Sequence, residues 1–190
     1  EPAVRMLALA NARLRTPLAA PARAGVEEVL AELDAAGAHV DMLRLLAVAL
    51  PARERTWWAC LAARDILPPD PDPLPRALAA AEAWVRKPGD EARGAARTAI
   101  DAADPGDETT LCATAALFGD GTFGPGHLAD HPAPPGASEA AVFGMVLMAI
   151  GRSGAPDFPT AANLMIDRAL DIARGGNGRV APLREKETET

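Results

Sequence analysis

Proline and glycine set the terms on which this chain can fold. Eighteen prolines and 16 glycines are spread through its 190 residues, so every element they bound must be short. Between the breaks lie about eight segments whose apolar residues recur at the i, i+3, i+4 spacing of a helix face. Composition agrees with the pattern. Of the 49% apolar residues, 44 are alanine, Leu outnumbers Val plus Ile by 21 to 14, aromatics make up 4%, and there is no Tyr. Strands draw on β-branched and aromatic side chains, whereas Ala and Leu carry the highest helix propensities. The expected class is therefore all-α.

The clearest segment begins at Val26, where Val26, Val29, Leu30 and Leu33 share a face, Glu27, Glu28 and Glu32 oppose them, and Gly37 offers a left-handed stop. Met42, Leu43, Leu46 and Leu50 stripe the next helix, and Pro51 suits the first turn of a third, running from about Ala52 to Leu67. The proline run Pro68–Pro73 predicts an extended, polyproline-like break. Beyond it come a helix with Leu78, Trp84 and Val85, an alanine-rich helix capped by Asp90, and one capped by Asp107 that reaches Phe118. The stretch from Gly119 to Gly136, with five Gly and four Pro, reads as a functional or mobile loop. Ser138 to Arg152 is apolar nearly all round and belongs mid-bundle, while Phe158 to Arg174 is amphipathic.

Short connections place neighbouring segments in antiparallel hairpins. The expectation is a compact bundle or short array of about seven to eight helices, with the bundle favoured because no fixed-period repeat is visible. Residues 1–25 are expected to be poorly structured or to hold one short helix, 26–175 to form a single domain, and 176–190 to be a solvated tail.

A net charge of -7, with 17 Arg and 2 Lys, argues against binding a phosphate backbone. The longest apolar run, Ala140 to Ile150, is too short for a bilayer that needs ~20 apolar residues, so no membrane role is expected. The chain opens Glu1-Pro2-Ala3-Val4-Arg5, with no initiator Met and no uninterrupted signal core, which reads as cytoplasmic, and the missing Met as the mark of a trimmed chain or a fragment of a longer one. Cys60 and Cys112 sit inside apolar patterns and read as buried free thiols.

Chemistry-bearing motifs are weak. Gly119-Asp120-Gly121-Thr122-Phe123-Gly124 has the letters of a dinucleotide fingerprint, but that motif needs a strand before it and a helix after it. Here a helix precedes and a proline-rich loop follows. Cys112, His127 and His131, with Asp120 or Asp130, form the nearest approach to a metal set; His39 reads as a surface residue. Pro132 spoils the helical presentation a His-x3-His pair would need. The carboxylate pairs Asp70/Asp72, Asp101/Asp104 and Asp167/Asp171 suit a linker, a helix end and a polar face, where Asp171 can meet Arg174. No nucleophile has a partnered His. No catalytic residue, metal or cofactor is expected.

The most unusual feature is Arg53-Glu54-Arg55-Thr56-Trp57-Trp58-Ala59-Cys60. Adjacent helical residues point about 100° apart, so one Trp can enter the core while the other closes an inter-helix groove with Trp84. Core aromatics under arginine lids is the plainer reading. The functional one is a partner-binding surface of Arg53, Trp57, Trp58, Arg64 and Trp84, since Trp and Arg dominate interface energetics, with Arg53 or Arg64 stacked on a Trp face.

The run Ala35-Ala36-Gly37-Ala38-His39-Val40-Asp41-Met42-Leu43-Arg44, its continuation through Pro51, and the Trp-Trp-Ala-Cys helix resemble an uncharacterised family of bacterial helical proteins. Ala81-Glu82-Ala83-Trp84-Val85 and Asp171-Ile172-Ala173-Arg174-Gly175 fit the same pattern. The resemblance spans most of Val26 to Gly175. It implies a place near type VI secretion gene clusters and carries no catalytic residues. The expected function is a non-enzymatic accessory or adaptor protein that binds another protein, a component or effector of that system. The alternative is an enzyme or small-ligand-binding domain with its site at the 119–136 loop, and a third is a structural helical segment of a larger effector.

Overall fold

A computed structural model describes residues 1–180. Among the described residues, nine α-helices account for the architecture: α1 Ala3–Leu9, α2 Val26–Ala35, α3 His39–Ala49, α4 Ala52–Ile66, α5 Arg76–Arg86, α6 Asp90–Asp101, α7 Thr110–Leu117, α8 Ala137–Arg152 and α9 Phe158–Ala173. A 3-10 helix, Gly126–Asp130, interrupts the long loop. There is no strand among these residues, only an isolated bridge between Thr122 and Pro132. From α4 to α9, each helix packs on its sequence neighbour, as short connections require. The ends also meet. Contacts of α9 with α3 and α4, and of α8 with α3 and α4, close the helices into a bundle and exclude an open array.

α4 sits at the hub with α8, touching α5, α7, α8 and α9. Its buried residues are Thr56, Trp58, Ala59, Cys60, Leu61, Ala62 and Ala63. Cys112 of α7 meets this helix, its thiol 3.4 Å from the Ala59 carbonyl, and Ala113, Ala115 and Ala116 of α7 are likewise fully buried, so small side chains let the helices around α7 approach closely. α8, expected at the centre because it lacks a polar face, lies there beside α4, touching α3, α4, α7 and α9. It buries Ala141, Val142, Met145, Val146, Ala149 and Ile150 but leaves Phe143, Leu147 and Met148 partly open. The Arg44 guanidinium covers that flank, 4.2 Å from the Phe143 ring centroid.

Several local expectations needed correction. The Pro68–Pro73 break is bent, because Asp70 takes a positive φ of 49° and the Asp72–Pro73 peptide is cis; Asp tolerates the left-handed region better than most residues. Asp90 is the first residue of α6 and Gly89 its cap. Asp107 lies ahead of α7, where its Oδ1 accepts from the Thr109 N–H (3.0 Å) and hydroxyl (2.6 Å). The side-chain cap is instead at Asp157, whose Oδ1 accepts the Thr160 N–H at 2.8 Å. That hydrogen bond holds the Asp157 carboxyl below its ordinary pKa.

The N-terminal 25 residues form α1 and a strap tied down by two carboxylates. Asp41 Oδ2 accepts the N–H groups of Arg15 (2.9 Å) and Thr16 (2.7 Å), and Glu32 accepts those of Ala19 and Ala20. Irregular backbone thus finds its partners in acidic side chains of α2 and α3. Gly136, at φ +77°, sits against the Ala10 carbonyl, where a side chain would collide. At the other end, residues 176–178 are not a solvated tail. They fold back onto α4 and α9, with Gly178 buried beside Leu61 and Ile172. The rest of the expected tail, 181–190, lies outside the described residues.

Candidate functional site

The double-Trp helix splits its two rings between different surroundings, as the 100° step demands. Trp58 is fully buried, and its Nε1 donates to the Met165 carbonyl of α9 at 3.0 Å. Such a buried donor needs a partner, and here the bond also locks α4 to α9. Trp57 is half-buried and turns toward the chain that leaves α9, where its Nε1 donates to the Asn177 carbonyl at 2.8 Å.

Trp84 does not join either ring. It is 4% exposed and packs its six-membered ring over Gly119 at the end of α7. The residue that meets Trp57 across the groove is the next one along α5, Val85. Arg64 is also committed elsewhere, because its Nε and Nη2 make a two-pronged pair with Glu82 at 2.6 and 2.9 Å. That pair ties α4 to α5 and raises the Arg64 pKa. Among the described residues, the close arginine–aromatic stacks fall on Phe143 and Phe123, and none on Trp.

Of the five residues expected to form a partner surface, the structure brings two together. Arg53 and Trp57 line an open groove with Val85, Arg86, Ile172 and Gly175; Glu54 stands at its edge. Arg53 Nε donates to the Val85 carbonyl at 2.6 Å, satisfying a carbonyl in the last turn of α5. A guanidinium has five N–H donors, and among the described residues the other four of Arg53 have no partner. Arg86 and Arg174 are exposed and form no ion pair among the described residues. Asp171, expected to meet Arg174, instead accepts the Gly178 N–H at 2.8 Å. A second apolar groove, lined by Val26, Leu30, Leu50 and Leu170, lies on the other side of the α9 C-terminus.

The 119–136 loop is ordered from within. Arg93, 2% exposed, projects from α6 and spends its guanidinium on the loop. Its Nε donates to the Leu117 carbonyl (2.9 Å) and its Nη2 to Thr122 Oγ1 (2.7 Å), while Nη1 pairs with Asp120. Backbone bonds from Phe123 to His131 (2.8 Å) and from Ala133 to Gly121 (2.9 Å) zip the two sides. No strand precedes Gly119, and a 3-10 helix stands where a dinucleotide motif needs an α-helix N-terminus. Gly119 itself serves packing, since an added Cβ would lie 2.7 Å from the Trp84 ring.

Cys112 is buried in α7 while His127 and His131 are exposed, so the metal set expected to be weak does not assemble. Among the described residues, no three His, Cys, Asp or Glu side chains are placed to hold an ion. Cys60 and Cys112 are free and buried, and the hydrogen bond with Cys112, together with burial, pushes the Cys60 thiol well above its ordinary pKa. His39 is half-buried at the start of α3. No helix among the described residues is long and apolar enough to cross a membrane.

A family model described as a family of unknown function (DUF6931) matches residues 29–173. The chain belongs to that family. The DUF6931 match covers α4, α5 and all but the last turns of the groove, stopping just before Gly175. No curated protein and no solved structure matches the chain.

The sequence alone does not bring Val85, Arg86 and Ile172 to one groove, nor Arg93 under the loop. The signal for Arg93 was available: it shares a stripe with Ala96 and Ala99, the buried face of α6, and a charge on such a stripe must find partners. The groove had no such signal, because its walls are remote in sequence.

Proposed function

We propose that this protein is a non-enzymatic helical adaptor, acting in the bacterial cytoplasm, that binds another protein through the groove of Arg53, Trp57 and Val85. The observation that carries the reading is a half-buried Trp57 beside an Arg53 with unused donors, on walls fixed by bonds to Asn177 and Val85. A rigid aromatic beside a cation with spare donors is the arrangement found where interfaces concentrate their energy, and a pre-ordered frame lowers the entropy lost on docking. Asp120 and Thr122 of the 119–136 loop, in contrast, are turned onto Arg93 and one another.

The resemblance read from the double-Trp helix supports a setting for the partner, a component or effector of a type VI secretion system. Affinity capture with the whole chain, from a bacterium carrying such a gene cluster, tests both statements. A secretion component should be retained by the wild type and fall by about tenfold or more with Trp57→Ala. Equal retention by both forms, or retention of no such component, counts against the reading.

A further inference from the structure

The groove has a charge opposite to that of the molecule around it. The chain carries a net -7, yet Arg53 and Arg86 line the groove against one carboxylate, Glu54. Lys87, exposed, lies next in sequence to the lining residue Arg86, while Arg174 lines the second groove instead. Asp171, packed against the lining residue Gly176, keeps its negative charge while accepting the Gly178 N–H, and it pairs with neither Arg53 nor Arg86 among the described residues. Six arginines outside the groove are held in ion pairs, among them Arg55 with Glu139, Arg64 with Glu82, Arg152 with Glu108 and Arg168 with Asp65, whereas Arg53 and Arg86 form none among the described residues. The floor between the groove cations is apolar, formed by Trp57, Val85 and the buried Ile172.

On the basis of the adaptor reading, we infer that the segment docked in this groove is an acidic protein segment with an apolar anchor, its carboxylates meeting Arg53 and Arg86 and its apolar side chain lying over Trp57, Val85 and Ile172. A carboxylate matches the unused donors of a guanidinium in pairs, while the anchor removes the apolar floor from water. A basic segment would face like charges and lose on both encounter and fit.

A displayed library of random 16-residue peptides, selected on the whole protein, tests the inference. Recovered sequences should be enriched in Asp and Glu around one or two large apolar residues. Their binding should drop about tenfold or more in the Arg53→Glu/Arg86→Glu double variant and weaken several-fold when salt is raised through the range where the Debye length falls below ~8 Å. Arg86→Glu alone, at an exposed side chain, gives the same sign if the double variant unfolds. Peptides lost with Trp57→Ala but neutral or basic in composition would overturn the acidic assignment and leave the adaptor reading standing. Peptides that bind all variants equally, or no enrichment at all, would overturn both. A dimer in sedimentation that Arg86→Glu dissociates would make a second copy the occupant and overturn the separate partner.

Discussion

Replacing Gly119 by alanine probes the contact that joins α5 to the start of the long loop. The new Cβ would lie 2.7 and 2.8 Å from the Cη2 and Cζ2 atoms of Trp84, and 3.3 Å from the Ala115 carbonyl. Ordinary carbon contacts begin near ~3.5 Å, so the indole must retreat by roughly 0.8 Å. It has little room to do so at 4% exposure. Overpacking of this kind costs about 1–3 kcal/mol, which for a chain of this length lowers Tm by about 2–12 °C. Trp84→Phe removes the ring atoms that the added methyl would strike. Gly119 does not occupy the left-handed region, so in the Trp84→Phe background the same alanine should be neutral, or stabilising by about 0.4–1 kcal/mol through loss of unfolded-state freedom. Thermal and urea unfolding of the four forms gives the coupling, expected to be about 1 kcal/mol or more. If Gly119→Ala costs the same in the wild type and in the Trp84→Phe background, the indole is not what excludes a side chain there, and the assigned role of Gly119 is wrong.

Arg93→Met should destabilise on the order of 3 kcal/mol, because the Leu117 carbonyl, Asp120 and Thr122 lose a charged donor. Limited proteolysis should then cut between 117 and 124, and an unchanged cleavage map would refute the role of Arg93 as the loop's organiser. Cys60 and Cys112 should resist a thiol reagent in the folded protein and react on denaturation, since both are fully buried and the Cys60 thiol is held well above its ordinary pKa; rapid native labelling would contradict the packing of α4 on α7. Asp157→Ala should lower Tm at neutral pH. The folded-state pKa of Asp157 is lowered from 3.8, so its contribution is present above the unfolded value and fades as pH falls through the folded one. The gap between variant and wild type should therefore narrow on acidification to about pH 3 and below; a gap that widens there would refute the cap.

What could be read from the sequence was whatever depends on spacing within one segment. Periodicity located Val29 and Leu33 on one face, Gly37 at a helix end, and the two tryptophans in different directions. What could not be read depends on residues that meet only after folding. Trp57 faces Val85 and not Trp84 because one residue along α5 changes the direction by a quarter turn or more, and nothing local fixes how α5 is rotated against α4. Asp41 and Glu32 looked like ordinary polar-face carboxylates; their function as anchors for the N-terminal strap depends on where an irregular segment comes to rest. Arg93 escapes a sequence reading for another reason. An alanine-rich helix suggests close approach by whatever packs on it, and this helix uses that closeness to bring a guanidinium under a loop.

The small buried side chains of α4 and α7 have a consequence for how such a protein can change. Ala59, Ala62, Ala63, Ala113, Ala115 and Ala116 are all fully buried, and alanine can be trimmed only to glycine, which weakens the helix itself by about 1 kcal/mol. Drift at these sites therefore runs almost entirely toward bulk. Each added methyl pushes two rods apart unless a neighbour gives way in the same step, so the hub resists single substitutions in one direction and yields mainly to paired exchanges.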